Sequence, residues 1–250
     1  MRNNQKYIQK KPFWILFALI FLTILYTKEK IRFILISTKE AIPATDIPKI
    51  ESDWIIINKP LPFTQVRRHL TLEYINKHYD PSASSINIEP RMIVIHWTAS
   101  ETLFSLFSTF APERLPVWRQ QIHAGGQVNV SSHFAVDRDG TIYRLMSENL
   151  MARHVIGLNR SALGIENVGG PKLPLTSQQL AANARLVRYL HKKFPRMEYL
   201  IGHLEYRNFE NSPLWEERDP SYRTEKHDPG KDFMAELRLR LIDLDLKGQP

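Results

Sequence analysis

The stretch "RMIVIHWT", Arg91 to Thr98, sets the firmest limit on what this chain can fold into. Met92, Ile93, Val94 and Ile95 are apolar in unbroken succession, and three of them are β-branched. Side chains alternate between the two faces of a strand, so such a run has an apolar residue on each face and belongs at the centre of a sheet. His96 ends the run. It is either a packed core side chain or one corner of a site whose other corners lie downstream.

The rest of the chain supplies partners for such a sheet. "SSHFAVDRDGTIYRL" alternates on both sides of Asp137, Arg138, Asp139 and Gly140, with an Asp-Gly pair giving the positive φ of a tight hairpin turn. "ALGIENVGG" is a further strand, and "MEYLIGHLEY" another, with His203 at its end. Between them, "TSQQLAANARLVRYLHKKF" opens with Thr176 and Gln179 in capping-box spacing and puts Leu180, Ala184, Val187, Leu190 and Phe194 on one helical face. "KDFMAELRLRLIDL" is a closing amphipathic helix. Interleaved strands and helices predict an α/β domain with a mixed central sheet flanked by helices.

The N-terminus is of another kind. Arg2, Lys6, Lys10 and Lys11 precede an uncharged, largely apolar run from Pro12 to Tyr26. Residues 1–40 hold eight Lys or Arg against two Glu, so they carry +6 of the net charge of +8 and the remainder is nearly balanced. That distribution argues for a membrane-targeting segment and against a nucleic-acid groove. The order of charge and apolar residues reads as an uncleaved signal anchor, a transmembrane helix within residues 1–36; a cleaved signal peptide is the other reading. The positive-inside rule then keeps the four basic residues cytoplasmic and exports the following domain. Residues 37–58 read as a spacer and 59–250 as the folded domain. Cysteine is absent, which excludes disulfides, a catalytic thiol and thiolate metal sites. No feature specifies an oligomeric state.

Nine histidines are present, and most must be surface or core residues. His96 and His203 stand out because both end apolar strand-like runs, where neighbouring strands converge at one rim of a sheet. "TEKHDPGKDF" sets Asp228 in a Pro-Gly turn, a rigid frame for a ligand. Two imidazoles and a carboxylate suit zinc, and three protein ligands leave a fourth position open for catalysis.

"VIHWTAS", "SSHFAVDRDGTIYRL", "RHVIGLNRSALGIENVGG", "IGHLEY" and "KHDPGKDF", in this order, resemble the zinc-dependent N-acetylmuramoyl-L-alanine amidases, whose fold is shared with the peptidoglycan recognition proteins. The resemblance covers residues 91–241. It implies zinc held by His96, His203 and Asp228, a catalytic Glu166 and an assisting Lys226, with His154 and Asn159 as substrate contacts. It implies hydrolysis of the amide between N-acetylmuramic acid and L-alanine in peptidoglycan or muropeptides. A module of the same fold that binds peptidoglycan without cutting it is the alternative. Arg153 stands where the family often has a tryptophan. His133 reads as a core or supporting residue, His227 as a competing neighbour of Asp228 that points away, and Glu166 could instead be a solvated strand-end carboxylate. The segment 204–227, with Tyr206, Phe209, Trp215 and Tyr222, is either a loop over the cleft or a surface insertion packing its own aromatics.

Overall fold

Two continuous ladders dominate the computed structural model, which describes residues 54–123 and 125–250. Strand β2, Met92–Trp97, pairs in parallel with β5, Ala162–Asn167, on one side and with β6, Tyr199–Gly202, on the other. Both neighbours are present because the sequence of β2 demands them: Met92 to Ile95 have no solvent exposure. Beyond β5 come β3, Phe134–Val136, then β4, Ile142–Arg144, and at the edge β1, Ile56–Asn58, giving the order β1-β4-β3-β5-β2-β6. Only β3 and β4 run antiparallel, as the Asp-Gly hairpin requires; Gly140 has a φ of +87°, a conformation glycine adopts without strain. The sheet is therefore mixed and flanked by helices.

Helix α1, Gln65–His78, follows β1. It buries Leu70, Tyr74 and Ile75 against Met92, Val94 and Ile201. Residues 92 and 94 share the face of His96, so this helix packs on the face that carries the site. Helix α2, Leu103–Phe110, and a single turn, α3, Gln120–His123, follow β2. The guanidinium of the buried Arg67 donates to the carbonyls of Phe110, Ala111 and Pro112, which closes the C-terminus of α2 with a cation.

Helix α4, Ser177–Lys193, starts with the expected capping box between Thr176 and Gln179. Leu180, Val187 and Leu190 are buried as expected, whereas Ala184 and Phe194 are only partly covered. Gln179, Ala182, Asn183 and Leu186 complete the buried face. Asn183 donates to Asn167 on β5, and Asn167 donates in turn to the carbonyl of His96. Helix α5, Lys231–Arg240, packs on α4 and β6.

Residues 55–250 form one unit. Its first strand begins three residues inside the stretch read as a spacer, because Ile56, Ile57 and Asn58 pair with Ile142, Tyr143 and Arg144. The anchor expected over residues 1–36 lies outside the described residues. Among the described residues no helix is long and apolar enough to cross a membrane.

Candidate active site

Parallel pairing fixes which side chains meet. In register, His96 lies beside Glu166 on β5, and Ile95 lies beside Gly202, so the next residue, His203, comes alongside His96. Three chemically useful side chains thus stand at the carboxyl ends of adjacent parallel strands, the usual place for a site in such sheets. Asp228 arrives from a loop, and its carbonyl accepts the amide N–H of Leu204 at 2.9 Å, which ties the loop to the residue after His203. The turn continues through Gly230, whose φ of +91° favours glycine, into α5.

His96 Nδ1, His203 Nδ1 and Asp228 Oδ2 form a near-equilateral triangle. The edges are 3.0 Å between the imidazoles, 3.2 Å from His96 to Asp228 and 3.1 Å from His203 to Asp228. A tetrahedral ion with bonds of roughly 2.0–2.2 Å needs ligand edges of roughly 3.3–3.6 Å, so small outward shifts would seat one. All three residues are buried, and no other cluster of this kind occurs among the described residues. The donor set fits a divalent metal of the zinc class.

Burial and mutual contact shift the proton affinities of these groups in opposite directions. Burial pushes His203 down to about 4, with Asp228 opposing the shift and His96 adding to it, so the imidazole stays neutral well below pH 6. Burial alone would raise Asp228, but His203 and hydrogen bonds from both imidazoles hold it well below the usual carboxylate range. Glu166 behaves in the opposite way. Burial and the nearby Asp228 raise it well above its ordinary value, while Lys226 and Arg119 pull it down. Its Oε2 has no hydrogen-bond partner. Lys226 is lowered by burial and by Arg119 and raised by Asp228 and Glu166.

These groups open into a cleft of about 1130 Å³, with Trp97, Trp118, Arg119, Tyr222 and Lys226 on its walls. The model of the N-acetylmuramoyl-L-alanine amidase family matches residues 87–231, more than half of the chain. The chain belongs to that family. This amidase-family chain is 29% identical over 91 residues to an endolysin of Enterobacteria phage K11, a stretch covering 34% of the chain and 60% of the relative. Among solved structures, the N-acetylmuramoyl-L-alanine amidase LysC from Clostridium intestinale URNW is 24% identical, with 78% of this chain and 100% of that one covered at a TM-score of 0.48. PGRP-SA of Apis mellifera is 17% identical, with 64% and 98% covered at a TM-score of 0.38.

The remaining expectations divide. His227 is exposed and does not point into the triangle. His133 is fully buried: its Nδ1 accepts the N–H of Gly164 and its Nε2 donates to the carbonyl of Leu150. Asn159 lines the cleft among buried groups. It has no solvent exposure, its Oδ1 accepts the amides of His154 and Val155, and its Nδ2 donates to Tyr79. These bonds shape the loop before β5. His154 borders the cleft, but its Nδ1 lies 3.0 Å from His96 Nε2.

In the segment 204–227 the aromatics turn inward: Tyr206, Phe209 and Tyr222 are buried, and Trp215 packs over Gly157, where a Cβ would come within 2.7 Å of the indole. Residues 222–226 nevertheless line the cleft, so both readings of the insertion hold for different parts of it. Arg119 escaped the sequence reading altogether. It sits in "PVWRQQ", which has no periodic pattern and no motif to mark it, yet its guanidinium bears on Glu166 and its Nη1 is buried without a partner.

Proposed function

We propose that this protein is an N-acetylmuramoyl-L-alanine amidase that uses zinc held by His96, His203 and Asp228 to hydrolyse the amide joining N-acetylmuramic acid to L-alanine. The observation that carries this reading is the triangle of ligand atoms set beside Glu166 at the foot of one cleft. Zinc, when bound, supplies Lewis acidity toward water and the amide carbonyl. The chain's own residues do the rest. Glu166, neighbour of His96 in the sheet register, takes the proton of the attacking water and delivers it to the leaving alanine nitrogen. Its raised proton affinity lets it hold that proton between the two transfers. Lys226, on the cleft wall, faces the carbonyl oxygen as charge builds there. A cleft of about 1130 Å³ has the volume for a peptide together with a sugar, as peptidoglycan or its fragments would need.

We propose further that residues 1–36 anchor the chain in a bacterial inner membrane, with the amidase unit on the outer side beside the wall. The charge order of the N-terminal segment supports this. Mass spectrometry of a defined muropeptide incubated with the protein tests the central reading. Two products, an intact sugar moiety and a stem peptide with a new alanine N-terminus, are expected. An unchanged substrate mass would indicate binding without hydrolysis.

A further inference from the structure

His154, expected to contact substrate, borders the cleft and also reaches the candidate metal ligands. His154 Nε2 lies 3.3 Å from the carbonyl oxygen of Ala162, and its Nδ1 lies 3.0 Å from His96 Nε2. The two imidazoles meet edge to face with centroids 5.1 Å apart. A carbonyl oxygen only accepts, so His154 Nε2 carries the proton of that bond. A metal held at His96 Nδ1 takes the lone pair of that atom and leaves the ring's one N–H on Nε2, so His154 Nδ1, 3.0 Å away, is the acceptor that geometry offers it. The proton shared with His96 therefore belongs to His96 Nε2. That leaves His96 Nδ1, the atom in the triangle, with its lone pair pointing at His203 Nδ1 and Asp228 Oδ2.

We propose that His154 is a positioning residue of the metal site: it accepts the His96 Nε2–H and so holds His96 in the tautomer and ring orientation that a metal needs. The proposal rests on the zinc reading above. The main chain of β5 is thus read out two rings away, from the carbonyl of Ala162 through His154 to the ligand atom. Outer partners of this sort fix ring orientation and raise ligand basicity.

The packing around His154 is built for this task. Its ring lies over Gly164 on β5, where a Cβ would come within 2.9 Å of His154 Cγ and Nδ1. Any larger residue at 164 would push the ring off His96. The backbone amide of His154 is held by Asn159 Oδ1 at 2.8 Å, and that residue is itself tied to Tyr79. On the other flank the ring meets His133 edge to face at 5.8 Å, and His133 is fixed in its own tautomer by Gly164 N–H and Leu150 O. Every neighbour that could let the ring rotate is therefore itself held.

Zinc affinity, measured by competition with a chromophoric chelator, tests the proposal without recourse to turnover. His154→Phe keeps the bulk and removes the acceptor, and should weaken zinc binding about 10–100-fold. His154→Asn, whose Oδ1 can replace the lost Nδ1 acceptor, should recover most of the affinity. Equal affinity in wild type and His154→Phe would overturn the proposal, as would equal losses in the two variants. If His154→Phe fails to fold, ¹⁵N–¹H spectra of the metal-stripped wild type decide. A proton on His96 Nε2 is expected, and one on Nδ1 overturns the inference. A wild type with no zinc affinity overturns the metal reading and this inference together, whereas tight zinc binding without amide hydrolysis overturns the proposed activity alone.

Discussion

His96, Glu166 and His203 stand on or at the ends of three paired strands, whereas Arg119, Tyr222 and Lys226 reach the same cleft from segments without any strand. The strand-borne groups inherit their positions from backbone ladders, and a register of one residue settles which of them touch. The loop-borne groups have no ladder, and buried polar side chains take its place. Arg153 donates to the carbonyls of Ile122, Gly126 and Val128 and to the Tyr222 hydroxyl, and its guanidinium lies over the ring of Tyr74. His78 bridges Glu217 at 2.8 Å and the carbonyl of Gly125 at 3.0 Å. One cleft is thus assembled by two methods, a rigid rim that holds the groups proposed for the chemistry and a fastened cover around the approach.

The sharpest way to break that division is to alter the rim without disturbing the proposed metal ligands. Glu166→Gln should lower kcat by about 10²–10⁴-fold while zinc stoichiometry stays unchanged. Turnover within tenfold of wild type would remove the rim's claim to the chemistry. Next comes the cover. Arg153→Met leaves three carbonyls, that of Val128 buried, short of a charged donor, and should cost about 3 kcal/mol in urea denaturation. If the cover only shapes the approach, the folded variant should show a raised KM and a nearly unchanged kcat. A loss confined to kcat would place the cover in the chemistry.

A smaller effect concerns His133, which anchors β5 behind the rim. Burial pushes its imidazole down to about 4 from an ordinary value near 6.5. Its neutral form is thus matched to the fold. The stability it confers is complete above pH 6.5 and declines as pH falls from 6.5 toward 4, because the unfolded chain then binds a proton that the folded chain refuses. The slope is about 1.4 kcal/mol per pH unit within that window. Urea denaturation at pH 7 and pH 5 measures it, and His133→Asn should remove that share of the slope. An identical slope in the variant would show that His133 is not held neutral.

The same contrast explains what could be read from the chain alone. The rim was legible because a buried parallel strand advertises itself as an apolar run, and "RMIVIHW" and "YLIGH" each deliver a histidine at the end of one. The hairpin and the helix 177–193 were legible for equally local reasons, an Asp-Gly turn and a capping box. Helix α1 was not. Its buried positions, 67, 70, 71, 74, 75 and 78, have helical spacing, but Arg67, Thr71 and His78 occupy three of the six. A hydrophobic pattern cannot report a face that is half polar. Those same polar residues fasten Arg67 to the end of α2 and His78 to the cover, so the information lay in long-range hydrogen bonds that no local spacing encodes. The structural part played by Asn159 was hidden for a related reason: its partners are two amides and a hydroxyl of the fold.

The central claim is that the triangle of His96, His203 and Asp228 does its work through a bound zinc. Zinc added back stepwise to chelator-stripped protein, with metal content and stem-peptide release measured on the same samples, tests it most directly. Activity should begin near zero, rise in proportion to bound zinc and level off at about one equivalent, and His203→Ala should neither bind that equivalent nor release peptide. Full peptide release from the metal-free protein, or from His203→Ala, would contradict the account.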